Sequence, residues 1–188
     1  MKRYGQGKTY KGLKLLLLNS RPFCHADQNE LVLISLTNHS MTTIAYDDLS
    51  TTDWGNIYER HVGLYYEDLG YTVDYRGYRL GFLDSGIDLV AEKDGNRKLF
   101  IQCKAVQKTL GKQAIETILY KGGNFIAKNM SDNKPEFVLA VLDQDQNISP
   151  INQRRFLRHN QTQNRSTLSI LSLPWAIYPP ESRAPVNP

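Results

Sequence analysis

The chain has 188 residues and is 40% hydrophobic. That length and composition suit one domain with a core of its own, plus tails. No apolar run reaches the ~18 residues of a membrane span. Two cysteines as far apart as Cys24 and Cys103 make neither a disulfide framework nor a metal-ligand spacing, which fits a reducing, cytoplasmic location. Net charge is +4 and unevenly spread. Residues 41–92 hold three basic and ten acidic residues, whereas residues 93–188 hold fourteen basic and seven acidic. The basic half suits a polyanion partner, and equally a solvated surface.

Residues 1–50 show no sustained periodicity and read as an extension of unassigned role. Their basic start and LLLL core fall short of the ~7–15 apolar residues of a secretory leader, and Met41 stands as an alternative start. LKLLLL (13–18) and LVLISL (31–36) are expected as short strands or a hairpin. The pattern sharpens at STTDWGNIYERHVGLYYEDLGY (50–71), a helix capped by Thr52 or Asp53 and ended by Gly70. Trp54, Tyr58, Val62, Tyr65 and Leu69 form its expected buried stripe, with Glu59 beside it. YTVDYRGY (71–78) alternates like a strand, and RLGFLDSG (79–86) reads as a turn. GIDLVAEK (86–93) and RKLFIQCKA (97–105) are two more strands.

A helix follows within 108–129, with Ile115, Ile118, Leu119 and Ile126 inward and a break or kink at Gly122-Gly123. PEFVLAVL (135–142) is a continuous apolar run, as in a fully buried strand. SPINQRRFLRHN (149–160) has Ser at the cap and Pro at the first helical position. TLSILSL (167–173) is a last strand, and residues 175–188 a proline-rich loose tail. Residues 51–174 thus form an α/β domain, with helices flanking a mixed central sheet.

Three polar residues interrupt these strands: Asp88, Gln102 and Lys104. A three-residue loop, Asp94-Gly95-Asn96, pairs Lys93 with Arg97. Asp88 then faces Gln102, and Gly86 faces Lys104, so the polar groups share one face near one sheet end. A two-residue loop splits them across the sheet. A buried carboxylate is costly unless it is paired or binds a metal. Asp88 with Lys104 therefore reads as a structural ion pair, or as part of a Mg²⁺ site. In the second reading Asp88, the Gln102 amide oxygen and the Cys103 backbone carbonyl are ligands. Lys104 orients the attacking water and stabilises developing charge.

YERHVGLYYEDLGYTV, DSGIDLVAE and LFIQCKA together resemble the Mrr-like restriction endonucleases of the PD-(D/E)XK nuclease superfamily. The resemblance covers roughly residues 53–142. It implies an α-β-β-β-α-β core and Mg²⁺-dependent DNA cleavage, with Mn²⁺ substituting. It makes Asp88 the metal-binding carboxylate, Gln102 the residue at the second acidic position and Lys104 the catalytic lysine. Glu59 becomes the first-helix glutamate at the metal, and Asp84 and Gly86 belong to the turn before Asp88. Gln102 departs from the Glu or Asp usual in the wider superfamily. That leaves metal affinity to Asp88, Glu59 and the substrate phosphate.

Lys108, Lys112 and Gln113 after the QCK strand are candidate DNA contacts, as are Arg154, Arg155 and Arg158 on the later helix. Such contacts add affinity without reading sequence. A solvated basic surface explains them as well. The implied role is restriction or defence, with DNA as partner. A homodimer would give two sites for two strands, and a separate partner is a further source of specificity. A junction-resolvase-like nuclease and a catalytically silent DNA-binding module of the same fold are the alternatives.

Overall fold

LKLLLL, expected as a strand, is the short helix α1 (Leu13–Leu18), in which Leu13 and Leu17 are buried. Leucine is a good helix former, and this four-residue spacing serves a helical stripe rather than an alternating face. The structure, a computed structural model, describes residues 10–25, 27–80, 85–95, 97–129, 135–163 and 167–177. Strands β1 (Ser20–His25), β2 (Glu30–Ser35) and β3 (Met41–Ala45) follow as an antiparallel sheet. LVLISL supplies its central strand, with Leu31, Val32 and Leu33 buried. The segment expected as a loose tail begins with paired backbone: Cys24 N–H donates to the Ala176 carbonyl, and Ile177 bridges Cys24. Residues from 178 onward lie outside the described residues. The chain forms two units, Met1–Asp53 with Trp175–Pro188, and Trp54–Pro174.

Helix α2 (Thr51–Asp68) opens on a capping box. Asp53 N–H donates to Ser50 Oγ at 3.1 Å, and Ser50 N–H donates to Asp53 Oδ2 at 2.9 Å. The cap is therefore Ser50, one residue before the helix, not Thr52 or Asp53. At the other end Gly70 turns left-handed, with Tyr71 N–H bonding Tyr66 O and Gly70 N–H bonding Glu67 O. That reversal sets Tyr71 edge-on to Tyr66, with ring centroids 5.5 Å apart. Tyr66 consequently faces inward beside Val62, Tyr58 and Ile57, and the expected Tyr65 and Leu69 are exposed.

Strand β4 (Thr72–Tyr75) is shorter than the sequence pattern suggested, because Arg76–Leu80 is helix α3. The five-stranded sheet continues with β5 (Leu89–Lys93), β6 (Arg97–Lys104), β7 (Glu136–Val141) and β8 (Thr167–Ser172) in the order β4-β5-β6-β7-β8. The first three strands form an antiparallel meander, and β6, β7 and β8 run parallel. Helix α4 (Lys112–Asn129) makes the first parallel crossover. Helices α5 (Gln144–Asn147) and α6 (Pro150–Gln163) make the second. Helix α5 was not foreseen; Asp143 caps it by accepting from Asp145 and Gln146 N–H.

The core of this unit packs Ile115, Ile118, Leu119 and Ile126 of α4 and Phe156 of α6 on Phe100, Phe137, Leu139 and Val141 of the sheet. Each fully buried side chain of this size is worth about 1.5–3 kcal/mol. Helix α4 runs unbroken through Gly122-Gly123. A Cβ on Gly122 would lie 2.5 Å from Phe137 Cζ, so this glycine serves close packing rather than a kink.

Candidate active site

The β5–β6 hairpin takes the register read from the three-residue loop: Lys93 faces Arg97 and Leu89 faces Ile101. Asp88 extends the pairing by donating its N–H to Ile101 O at 2.9 Å. Asp88 and Gln102 are buried, 6% and 5% exposed. Gln102 Nε2 donates to Asp88 Oδ2 at 2.5 Å, and Cys103 N–H donates to the same oxygen at 2.6 Å. Such N–H donors stabilise a buried carboxylate. Neither of them is Lys104. Lys104, half-buried, lies two residues beyond Gln102 and so on the same strand face.

Glu59 arrives from α2 through a contact with α3. A Cβ on Gly77 would lie 2.4 Å from Glu59 Oε2 and 3.0 Å from Glu59 Cδ. The carboxylate thus lies directly on the Gly77 backbone. Gly77 N–H in turn donates to Asp88 O at 2.8 Å. One glycine therefore touches both acidic residues.

Its neighbours are pinned to α2. Tyr75 OH donates to Glu67 Oε1 at 2.7 Å and bonds Arg60, which is itself 2.9 Å from Glu67. Tyr78 OH donates to the Asn56 carbonyl. Arg60 is buried. This network fixes the β4–α3 corner against the helix that carries Glu59.

The fields of these groups converge on Cys103. Burial pushes its thiol well above the usual 9.0, Asp88 and Glu59 push it further, and Lys104 opposes them. Burial likewise raises Tyr58, Tyr66, Tyr75 and Tyr78 above the usual 10.0. In the unfolded chain these groups ionise at their ordinary values. Above pH 9.0 for the thiol and 10.0 for the tyrosines, the unfolded state therefore binds fewer protons than the folded one. Their contribution is fully present below those values and is lost as pH rises past them. Thermal melts from neutral to alkaline pH should show Tm falling once pH exceeds 9.0. A Tm constant through pH 10.0 and above would contradict this.

An open hollow of ≈ 400 Å³ lies over Gln102 and Lys104. Helix α4 lines it with Gln113, Thr117 and Lys121, above an apolar floor of Leu110, Ala114 and Ile118. Of the candidate DNA contacts, Gln113 is at the hollow. Lys108 is exposed, and Lys112 lies 3.7 Å from Glu116 on its own helix. Arg154 and Arg158 are exposed on α6, and Arg155 bonds Asn152 Oδ1 at 2.6 Å. Asp84 lies outside the described residues. Gly86 has φ +79°, which only glycine adopts without cost, and so suits a turn. Sequence reasoning missed Gly77 and Lys121. Gly77 sat inside an apparent strand, and Lys121 beside an apparent helix break.

Among the described residues no three His, Cys, Asp or Glu side chains form a metal-ligating group. The oxygens of the expected ligand set are of another kind: two carboxylates (Glu59 and Asp88), the Gln102 amide, which here turns its Nε2 to Asp88, and the Cys103 carbonyl. All are hard donors, and that chemistry fits Mg²⁺ rather than a softer ion. Among the described residues no helix is long and apolar enough to cross a membrane. No curated protein and no solved structure matches this chain. Residues 53–121 match the family model Mrr_cat, described as restriction endonuclease, and this match and the mixed five-stranded sheet are consistent with the Mrr-like PD-(D/E)XK nuclease family.

Proposed function

We propose that this protein hydrolyses DNA phosphodiester bonds with Mg²⁺, or Mn²⁺ in its place, in a restriction or defence role. The observation that carries the reading is the convergence of Asp88, Gln102 and the Cys103 backbone at one sheet end, with Glu59 held against Gly77 beside them. Asp88 and Glu59 would hold the ion, with the Gln102 oxygen and the Cys103 carbonyl completing the protein's share. The ion, when bound, supplies a water acidified toward neutral pH and offsets charge on the phosphate. Lys104 orients the water for in-line attack and stabilises the charge that develops on the phosphoryl oxygens. Gln102 brings no charge, so metal affinity draws on two carboxylates and on the substrate phosphate. Exposed Lys108, Arg154 and Arg158 would contact backbone phosphates away from the reacting atoms.

The test is incubation of the full chain with supercoiled plasmid, linear duplex, a four-way junction and RNA. Methylated and unmethylated DNA are compared, each with Mg²⁺, Mn²⁺ or EDTA. Nicking or linearisation of duplex DNA that stops in EDTA is the expected result. Cutting confined to the junction would instead make the protein a structure-specific nuclease. Tight, salt-sensitive binding without any cutting would make it a silent DNA-binding module.

A further inference from the structure

Helix α4 passes very close to the turn before Asp88. The Cβ position of Gly86 lies 3.0 Å from Lys121 Cβ, 3.3 Å from Lys121 Cδ and 3.2 Å from Gln102 Oε1. The Lys121 stem therefore crosses Gly86 directly beside the Gln102 amide. Gly86 has no side chain to obstruct it, and the left-handed turn excludes most other residues there. The Lys121 residue is exposed, and it lines the hollow together with Lys104. None of the described residues lining that hollow is acidic.

Gln113, Thr117 and Lys121 are spaced four apart, so they form one polar stripe along the helix. The stripe runs about 12 Å at 1.5 Å per residue. Measured along a duplex axis, that length spans roughly three to four base steps at about 3.4 Å each. Thr117 Oγ1 donates to Gln113 O at 2.8 Å, so its proton is held by the helix itself. Two ammonium groups, Lys104 and Lys121, with the Gln113 amide around an open, partly apolar hollow, have the chemistry of a phosphodiester seat.

We propose that Lys121 is a phosphate-binding residue of this site, seating a backbone phosphate of the cleaved strand in the hollow opposite Lys104. The inference rests on the nuclease reading above and goes beyond it in naming the strand-holding surface. Lys121 does not touch the Asp88 carboxylate in this role; it fixes where the strand lies.

The experiment measures binding of a short duplex by the full chain, with Ca²⁺ replacing Mg²⁺ to hold back cleavage, across a range of salt. Lys121→Gln is expected to weaken binding and to reduce the slope of log affinity against log salt by about one. Lys121→Arg is expected to keep the slope. The control is Lys98→Gln, which removes a charge at the far end of β6 and is expected to leave the slope unchanged. Single neutral methylphosphonate linkages scanned along one strand should erase the Lys121→Gln penalty at one position. If the wild type binds and cuts while Lys121→Gln matches Lys98→Gln in slope and affinity, the inference fails alone. If the wild type neither binds nor cuts DNA, the inference fails together with the nuclease reading.

Discussion

Asp88→Asn is expected to lower cleavage by at least roughly 10³-fold while leaving the fold in place. A metal offsets several kcal/mol of transition-state charge, and each ~1.4 kcal/mol is tenfold in rate. The substitution removes the carboxylate charge that Asp88 brings to the site. Stability follows a different logic. Asp88 Oδ2 accepts from Cys103 N–H at 2.6 Å and from Gln102 Nε2, and the Asn oxygen still accepts the first of these. Loss of one negative charge near Glu59 also relieves repulsion. Asp88→Ala, by contrast, leaves a buried N–H without its acceptor, at a cost of about 1–3 kcal/mol.

The decisive readout is Tm with and without Mg²⁺. A ligand that binds only the folded state raises stability, so wild-type Tm should climb with Mg²⁺ and that of Asp88→Asn should not. A purely structural cluster predicts the opposite pattern, with Tm insensitive to Mg²⁺ in both proteins. Cleavage retained within tenfold in Asp88→Asn would remove Asp88 from the chemistry.

Much of this site was legible because strand pairing is a rule about residue numbers. Once the loop around Gly95 takes three residues, Lys93 meets Arg97, and Asp88 and Gln102 must share a sheet end. The start of α6 and the inward face of α4 were legible for a similar reason, since caps and helical spacing are local, whereas the end of α6 lies three residues past the expected Asn160. What sequence did not show depends on approach between elements distant in the chain. Gly77 looks like a strand residue until Tyr75 and Tyr78 pin its neighbours to α2. Gly122 looks like a helix breaker until the Phe137 ring is set against it. LKLLLL carries no periodicity that separates a strand from a helix over six residues. Tyr65 and Tyr66 are adjacent aromatics, and the choice between them falls to the reversal at Gly70.

Gly77→Ala tests the contact that joins the two carboxylates. Gly77 lies in helix α3 and has no left-handed φ, so alanine brings no backbone strain. The alanine N–H can still donate to Asp88 O. What changes is space: the new methyl falls 2.4 Å from Glu59 Oε2 and 3.0 Å from its Cδ. The clash is with the far end of a flexible side chain, which can swing aside. Stability should therefore move little, and the carboxylate should leave its position. A displacement of about 1 Å in a positioned group can cost ~10²-fold in rate, and that is the loss expected in Mg²⁺-dependent cleavage.

The double variant decides whether this loss passes through Glu59. Glu59→Ala removes both the carboxylate and the clash, so adding Gly77→Ala to it should cost nothing further. Glu59→Gln keeps the size and loses the charge, so any cleavage it retains should fall again when Gly77→Ala displaces the amide. Additive losses across Gly77→Ala and Glu59→Ala would mean that the glycine acts independently of Glu59. The backbone bond from Gly77 N–H to Asp88 O would then be the link to test between α3 and the site. Full activity in Gly77→Ala, with Glu59 still required for cleavage, would show that the Glu59 carboxylate works from a position other than the one against Gly77.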